Sequence, residues 1–194
     1  MGRKEKQNDG ELITALQQGD ESAFETLMNR HKQYVLNIIY KFLHDRHAAE
    51  DLAQEVFTRV YLKRDSYQPV AQFTTWLYSI TSNLCLNYIR DNKKYNVVSL
   101  QAFTEEGDSW EPADTTRIIP LNTVDRQELR DLVWQAVQDL PPQQRMAMIM
   151  YRFEGKNYRE IAKILNVSVS ALKSLIFRAR STLSERLQFY INRQ

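Results

Sequence analysis

Apolar residues recur at helical spacing along most of the 194-residue chain. No stretch shows the sustained alternation of a strand, and glycine is scarce, with 5 residues. Positions three, four and seven residues apart lie on one side of a helix, so this pattern predicts an all-α fold. The predicted helices are, in order, 10–18, 21–30, 31–44, 46–63, 71–91, 123–139, 142–153, 158–165 and 169–186.

Residues 95–122 interrupt the helical periodicity. They contain Gly107, Pro112 and Pro120, which favour turns and loops over regular structure. Acidic side chains accumulate in the same stretch, so we predict a flexible acidic linker. The linker divides the chain into two small helical domains, 1–94 and 123–194. Its acidic residues are Glu105, Glu106, Asp108, Glu111 and Asp114.

The two predicted helices 158–165 and 169–186 form a helix-turn-helix in the C-terminal domain. A short break at 166–168 joins them, and the second helix is predicted to bury Leu172 and Ile176. A helix held this way projects as a rod, and a rod of that width fits the major groove of DNA. The side turned toward DNA would show Ser170, Lys173, Ser174, Phe177, Arg178 and Arg180.

Charge is distributed unevenly along the chain. Residues 1–94 hold 13 basic and 12 acidic side chains, whereas residues 95–140 hold 3 and 9. Residues 141–194 hold 10 basic and 3 acidic side chains, so the positive charge is concentrated at the helix-turn-helix. A basic segment of this kind favours binding to a polyanion such as DNA.

The composition favours a cytoplasmic protein. No stretch approaches the ~20 consecutive apolar residues that a membrane-spanning helix needs. The first ten residues are polar and lack the apolar region of a signal peptide. The single cysteine, Cys85, permits no internal disulfide, and its place in an apolar helix predicts a small core residue.

Five short segments, taken in order and at their spacing, point to one family. They are GDESAF at 19–24, AEDLAQEVF at 49–57, FTTWLYSI at 73–80, LPPQQR at 140–145 and EGKNYREIA at 154–162. On these segments the chain resembles the extracytoplasmic-function (ECF) sigma factors, the compact two-domain members of the bacterial sigma-70 family. The resemblance implies a subunit that directs core RNA polymerase to promoters, with no cofactor and no catalysis of its own.

The helix predicted over 46–63 would carry the contact with core polymerase. Its apolar face is filled, so its polar side chains remain outside. The resemblance assigns this segment to the polymerase clamp helices, whereas without it these charges would be read as a solvated face. A rim of carboxylates would steer a basic partner and set its register. The expected contacts are Glu50, Asp51, Gln54 and Glu55.

The stretch 71–94 would bind and open the minus-ten promoter element. Phe73 and Trp76 are predicted to be core, while Tyr78 is predicted to lie nearer the polar side, where it could stack on a base. Carboxamides can pair with base edges, and basic side chains can hold phosphates. The resemblance aligns Asn83 with the position that contacts an extruded base; the alternative is that the asparagines face solvent. The full set is Tyr78, Asn83, Asn87, Arg90, Lys93 and Lys94.

The recognition helix departs from the family pattern at two positions. Ala171 stands where threonine is typical, and Leu175 stands where arginine is typical. Loss of an arginine removes a bidentate contact to guanine or a phosphate clamp, and a base contact of that kind is worth ~1–3 kcal/mol of discrimination. We therefore expect an unusual minus-thirty-five preference, or weak DNA affinity in the absence of polymerase.

The resemblance implies three partners, namely core RNA polymerase, promoter DNA and an anti-sigma factor. The anti-sigma factor is commonly anchored in the membrane and holds the two domains in an inactive arrangement. The acidic linker would thread toward the active-site channel of polymerase, where its charge mimics nucleic acid. These partners are expectations from the family, since nothing in the residues alone names them.

Three other interpretations stay open on the residues. A metal or hydrolytic site could use His47 and Glu50, which have ligand spacing, but helical carboxylate sites need several such pairs on facing helices. The remaining histidines, His31 and His44, complete no second pair, so we expect no metal. A DNA-binding repressor or activator would also need a helix-turn-helix. A protein that occupies polymerase without reading promoters would fit the Leu175 departure.

Overall fold

The computed structural model describes residues 7–69, 72–95 and 123–191. These residues form helices without strands, which confirms the predicted all-α fold. Residues 96–122, with the acidic side chains of the predicted linker, lie outside the described residues. The helices are α1 Asp9–Gln17, α2 Glu21–Leu43, α3 Arg46–Leu62, α4 Phe73–Tyr95, α5 Thr123–Gln138, α6 Pro142–Arg152, α7 Tyr158–Leu165 and α8 Val169–Ile191, with a 3-10 turn at Arg64–Ser66.

The helix α2 corrects the prediction of two helices at 21–30 and 31–44. No glycine or proline interrupts 21–43, and the buried stripe continues through Leu27, His31 and Val35 at four-residue steps. His31 can lie in this stripe because its Nε2 is 2.9 Å from Oδ2 of Asp9, at the start of α1. A polar residue whose side chain has a hydrogen-bond partner can therefore continue the buried face of a helix. In the sequence the same residue interrupts the apolar periodicity, which led to the prediction of two helices.

Helix starts are set by short polar side chains. Asp20 accepts a hydrogen bond from the backbone N–H of Ser22, and Asp45 accepts one from Ala48, each at 3.0 Å. These bonds satisfy N–H groups that have no partner within the first turn. The bonds from Ser22 also hold the pKa of Asp20 below its ordinary value. The caps fix where α2 and α3 begin, and so fix which residues of α3 face outward.

The first four helices form the N-terminal bundle, α1–α4. Its core contains Ile13, Phe42, Val56 and Leu77, all fully buried. Cys85 is also fully buried, as predicted for a small core residue, and burial raises the pKa of its thiol. The bundle positions the outer face of α3 and the second half of α4, which carry the expected polymerase and minus-ten contacts.

The last four helices form the C-terminal bundle, α5–α8. In it α6 packs against α8, and the core includes Met146, Ile149 and Leu172. The two bundles also pack on each other, with α4 against α6 and α7 and with α2 against α6. One cluster of buried apolar residues has members in both bundles. The assignment of independent domains to 1–94 and 123–194 remains a prediction.

Candidate functional site

The outer face of α3 carries the four residues expected to bind polymerase. Glu50, Asp51, Gln54 and Glu55 are all exposed, as expected from the filled apolar face. Within the helix, Arg46 lies 3.2 Å from Glu50 and Arg59 lies 2.7 Å from Glu55. Exposed pairs at this spacing contribute only about 0.3–0.5 kcal/mol. The carboxylates can therefore exchange these arginines for the basic groups of a partner.

An apolar groove lies beside this acidic face, between α2 and α3. Its volume is about 720 Å³, and Glu50 and Gln54 stand on its rim. Leu62, near its end, is 70% exposed. Sequence reasoning missed the groove, although an apolar residue off the buried stripe of α3 was a signal for it. The apolar lining is provided by Phe24, Met28, Leu36, Ala53, Phe57 and Leu62.

The second half of α4 carries the expected minus-ten contacts. Asn83 and Arg90 are exposed, and Asn87 is half-buried. Arg90 is 3.2 Å from Asp91, an exposed pair that leaves the guanidinium accessible. The side chains of Lys93 and Lys94 lie outside the described residues. The structure thus brings the two asparagines and Arg90 to one side of α4.

Tyr78 does not lie near the polar side of α4, and that part of the prediction is wrong. Its side chain is 5% exposed and stacks on Tyr34 of α2, with ring centroids 4.9 Å apart. The ammonium of Lys156, from the C-terminal bundle, lies 4.8 Å from its ring centre. Burial raises the pKa of Tyr78 to about 12. In this arrangement the ring is covered and presents no surface to a base.

The helix-turn-helix is built by two caps and one left-handed residue. Asn157 accepts hydrogen bonds from Arg159 and Glu160 at the start of α7, each at 3.0 Å. Asn166 ends α7 with φ 52°, a conformation that asparagine tolerates better than most residues. The Oγ of Ser168 then accepts from the N–H of Ala171 at 3.1 Å and starts α8.

The outer side of α8 exposes the residues of the predicted reading face. Leu172, Ile176 and Ala179 are buried, so the side chains between them point away from the bundle. Phe177 is 74% exposed, an unusual environment for a phenylalanine that has no partner surface. The exposed candidates are Ser170, Lys173, Ser174, Phe177, Arg178 and Arg180.

A cleft of about 670 Å³ separates α4 from the helix-turn-helix. Asn83, Asn87 and Arg90 line it from α4, while Leu175 and Arg178 line it from α8. The leucine that replaces the typical arginine is half-buried in this cleft. The structure therefore brings the minus-ten candidates close to one edge of the minus-thirty-five candidates, which the sequence did not indicate.

The part of the chain that the structure describes contains neither a cluster of metal ligands nor a membrane-spanning helix. It holds no group of three or more histidine, cysteine, aspartate or glutamate side chains arranged for a metal ion. The imidazole of His44 instead faces the ring of Trp134, with centroids 6.5 Å apart. Among the described helices, none combines the length and the apolar character that crossing a bilayer requires.

Comparisons with known proteins point in one direction. The family models for Sigma-70 region 2 and Sigma-70 region 4 match residues 27–95 and 130–183, respectively. The chain is 31% identical to the RNA polymerase sigma-H factor of Pseudomonas aeruginosa, with 94% of this chain and 95% of that protein covered. It is 31% identical to the ECF RNA polymerase sigma factor SigW of Bacillus subtilis, with 91% and 95% covered. It is 30% identical to the ECF RNA polymerase sigma-E factor of Escherichia coli, with 97% and 99% covered.

Two solved structures share the fold. One is the sigma factor RpoE in complex with the anti-sigma factor NepR from Bartonella quintana, with a TM-score of 0.64 and 23% identity over 85% of this chain and 96% of that chain. The other is CnrH in complex with the cytosolic domain of CnrY, with a TM-score of 0.63 and 22% identity over 91% and 95%.

Proposed function

This chain belongs to the ECF RNA polymerase sigma factors, and from that premise we propose which of its surfaces bind polymerase and which bind promoter DNA. As a sigma factor it directs core RNA polymerase to specific promoters and initiates transcription there. The division of labour follows the two bundles. Residues 1–94 bind core polymerase and open the minus-ten element, and residues 123–194 bind the minus-thirty-five element.

The observation that carries the proposal is the exposed face of α8. Leu172, Ile176 and Ala179 are buried in the bundle, so the basic and hydroxyl side chains of α8, with Phe177, face outward along one side. A helix presented in this way enters the major groove, where basic side chains contact guanine and phosphate and an apolar ring contacts a thymine methyl. Lys173 and Arg178 are the proposed minus-thirty-five contacts of greatest effect.

The proposed polymerase site combines the groove between α2 and α3 with its acidic rim. An apolar groove of about 720 Å³ between two helices can accept the apolar side of a partner helix. Carboxylates beside the groove attract basic residues that flank such a helix. Glu50 and Gln54 stand on the rim itself, whereas Asp51 and Glu55 lie on the adjoining surface. We expect the apolar lining to provide most of the affinity, and the carboxylates to fix the position of the partner helix in the groove.

The polymerase site is tested with Leu62→Asp, which places a charge at the exposed end of the groove. We expect its affinity for core polymerase to fall at least tenfold, about 1.4 kcal/mol. Gln18→Asp is the matched control, because Gln18 is exposed on the same bundle outside the groove. Equal binding of Leu62→Asp and the unsubstituted chain would remove the groove from the proposal.

The proposed minus-ten site is the polar side of α4, around Asn83 and Asn87. Extrusion of a base costs a few kcal/mol, and contacts to its edge and backbone must offset that cost. Asn83 provides the amide for the base, while Arg90, Lys93 and Lys94 provide charge for the phosphates. With Asn83→Ala, permanganate should no longer modify the thymines of the minus-ten element, because they stay paired. Protection of the minus-thirty-five element in a nuclease footprint should remain.

The whole proposal is tested by run-off transcription with core polymerase over a library of promoters. A sigma factor gives specific initiation when it is added to core enzyme alone, whereas a repressor or activator requires a holoenzyme that already contains one. Polymerase forms the phosphodiester bonds, and we propose that this chain adds no catalysis. The library also reads the preference set by Ala171 and Leu175. Absence of specific transcripts from every promoter would contradict the proposal.

We further propose that an anti-sigma factor controls this chain. One structural neighbour is a sigma factor in complex with the anti-sigma factor NepR, which supports the proposal by analogy of fold. A membrane-anchored inhibitor is the form expected from the family. A chain that acts on promoters works where the chromosome is, and we therefore place its action in the bacterial cytoplasm. We expect the chain to co-purify with the membranes of its source organism, and to be absent from them once the inhibitor has been removed.

A further inference from the structure

Helix α1 is held at both ends by side chains that reach across the N-terminal bundle. At its C-terminal end, the amide of Gln17 donates to the carbonyl oxygen of Arg64 at 2.8 Å and to that of Tyr67 at 3.1 Å. Both carbonyls belong to the connection between α3 and α4, within and just after its 3-10 turn. A carboxamide has two donor hydrogens and can therefore serve both carbonyls at once. These bonds fix the connection against the end of α1.

At the other end of α1, Asp9 binds two side chains of α2. Its Oδ2 lies 2.9 Å from Nε2 of His31, and the guanidinium of Arg30 donates to its Oδ1. The imidazole of His31 is buried, and its ring centroid lies 5.5 Å from that of Phe73, the first residue of α4. Asp9 therefore reaches the start of α4 through a single intervening side chain.

The contacts from the two ends of α1 meet in one aromatic cluster. The ring centroid of Tyr67 lies 5.4 Å from that of Trp76 and 6.1 Å from that of Phe73, and the last two are 6.0 Å apart. Burial raises the pKa of the Tyr67 phenol, and the charge of Asp9 adds to the increase. Because the cluster includes the first turn of α4, the side chains of α1 hold the start of the helix that carries the minus-ten candidates.

Helix α1 contributes to none of the surfaces proposed for binding. Among its residues, all of which the structure describes, none lines the groove between α2 and α3. The family model for Sigma-70 region 2 begins at residue 27, so α1 also lies outside the matched segment. The helix packs on α2, on α4 and on the 3-10 turn. An effect of α1 on promoter opening therefore has to act through these neighbours.

A change at the start of α4 reaches the minus-ten candidates because the helix is continuous. From Phe73 to Asn83 the helix extends by about 15 Å, at ~1.5 Å per residue. A rotation of α4 at its first turn therefore also rotates the side chains of Asn83 and Asn87. Geometry of this kind is sensitive, since a misplacement of about 1 Å can lower a rate by roughly 100-fold. The position of the two asparagines on DNA thus depends on how the first turn of α4 is held.

We propose that Asp9 and Gln17 are positioning residues, which hold the first turn of α4 so that Asn83 meets the extruded base of the minus-ten element. The proposal rests on the proposed function for the role of α4 in promoter opening. The hold on α4 itself is measured without polymerase or DNA, so its failure is distinguishable from failure of the proposed function. We define the α1 brace as Asp9, Gln17, His31, Tyr67 and Phe73.

The α1 brace is tested with Gln17→Met, which keeps the length of the side chain and removes both donor hydrogens. The readout is the indole N–H signal of Trp76 in an NMR spectrum of the full chain, assigned with Trp76→Phe. We expect this signal to shift, because the amide no longer holds Tyr67 against Trp76. Gln18→Met is the matched control, since Gln18 is exposed at the next position, and it should leave the signal unmoved.

Asp9→Ala tests the other end of α1. It releases His31 and Arg30, so it acts on α4 through Phe73, and it should also shift the indole signal of Trp76. Circular dichroism reports whether each variant keeps its helices, and Asp9→Ala replaces Gln17→Met if that variant loses them. An unmoved signal in a folded variant of the α1 brace would overturn the proposal.

The role in promoter opening is tested with three affinities. The chain is titrated with core polymerase, and the holoenzyme with a duplex of the minus-thirty-five element and with a single-stranded oligonucleotide of the minus-ten element. Both DNA probes are taken from the strongest promoter of the library. Gln17→Met should lower only the affinity for the oligonucleotide, by about tenfold, equivalent to ~1.4 kcal/mol. A general loss of stability would not lower one of the three affinities selectively.

Asn83→Ala separates the α1 brace from the proposed function on which it rests. This variant should lose affinity for the same oligonucleotide, because it removes the proposed base contact itself. If Asn83→Ala loses affinity and Gln17→Met does not, the α1 brace is structural and the proposed positioning role is wrong. Normal binding by both variants would refute the proposed minus-ten site, and with it the role assigned to the α1 brace.

Discussion

The helices α4 and α8 are alike in length and in proposed task but differ in what covers them. Each has 23 residues and carries candidate promoter contacts. α4 packs against helices of both bundles, whereas α8 packs only against helices of its own bundle among the pairs with substantial contact. Accordingly Tyr78 of α4 is 5% exposed and Phe177 of α8 is 74% exposed. In this structure the proposed minus-thirty-five face of α8 is therefore exposed, whereas part of α4, the helix with the minus-ten candidates, is covered.

The largest expected difference is between the two aromatic residues. Tyr78→Ala should lower the free energy of unfolding by about 3 kcal/mol or more, because it removes a buried ring and its stacking on Tyr34. Phe177→Ala should change it by no more than about 0.5 kcal/mol, as expected at an exposed position. Urea unfolding measures both values. Equal losses from the two variants would mean that α4 and α8 are covered to the same degree.

Removal of charge from α8 should have the next largest effect. Lys173→Ala and Arg178→Ala should each lower promoter-specific transcription, by an amount corresponding to ~1–3 kcal/mol if the residue contacts a base. Binding to core polymerase should persist, because neither residue lies near the groove of α2 and α3. Ser181→Ala on the same helix serves as the control. Normal transcription by both charge variants would assign the reading face elsewhere.

Leu175→Arg restores the residue typical of the family and should have a smaller effect. The logarithm of the promoter-binding constant of the holoenzyme is plotted against the logarithm of the salt concentration. The slope of this plot should become steeper by about 0.9 if the guanidinium contacts one phosphate. Ser184→Arg adds the same charge at another exposed position of α8 and should leave the slope nearly unchanged. An unchanged slope for Leu175→Arg would show that this position contacts no phosphate in the promoter complex.

The remaining expected effect is absent at neutral pH and confined to alkaline pH. The pKa of Tyr78 is raised to about 12 by burial, so the folded state holds its proton more tightly than the unfolded state does. Its contribution is fully present below the ordinary pKa near 10 and is lost as pH rises from about 10 to about 12. Tyr78→Phe should flatten the fall in unfolding free energy over that range. A fall of equal steepness in Tyr78→Phe would contradict the burial argument.

Sequence periodicity predicted most elements because a helix that buries one side needs apolar residues at regular steps. It failed at His31, where a polar side chain satisfied by Asp9 lies within the buried stripe and joins two predicted helices into α2. It also failed at Tyr78, since a residue at the edge of an apolar stripe is exposed or buried according to what a second bundle places there. The groove beside α3 was missed because its lining comes from two helices.

The exposed side of α8, which we propose as the reading face, followed from the sequence alone, because local spacing decides which side of a helix can be buried in its own bundle. The family followed as well, since five motifs in order are a property of the chain and do not depend on its shape. The closeness of α4 to α8, and the burial of Lys41 with Glu154, were decided only by tertiary structure. Those two residues are 113 positions apart, and no local pattern carries the orientation of one bundle on another.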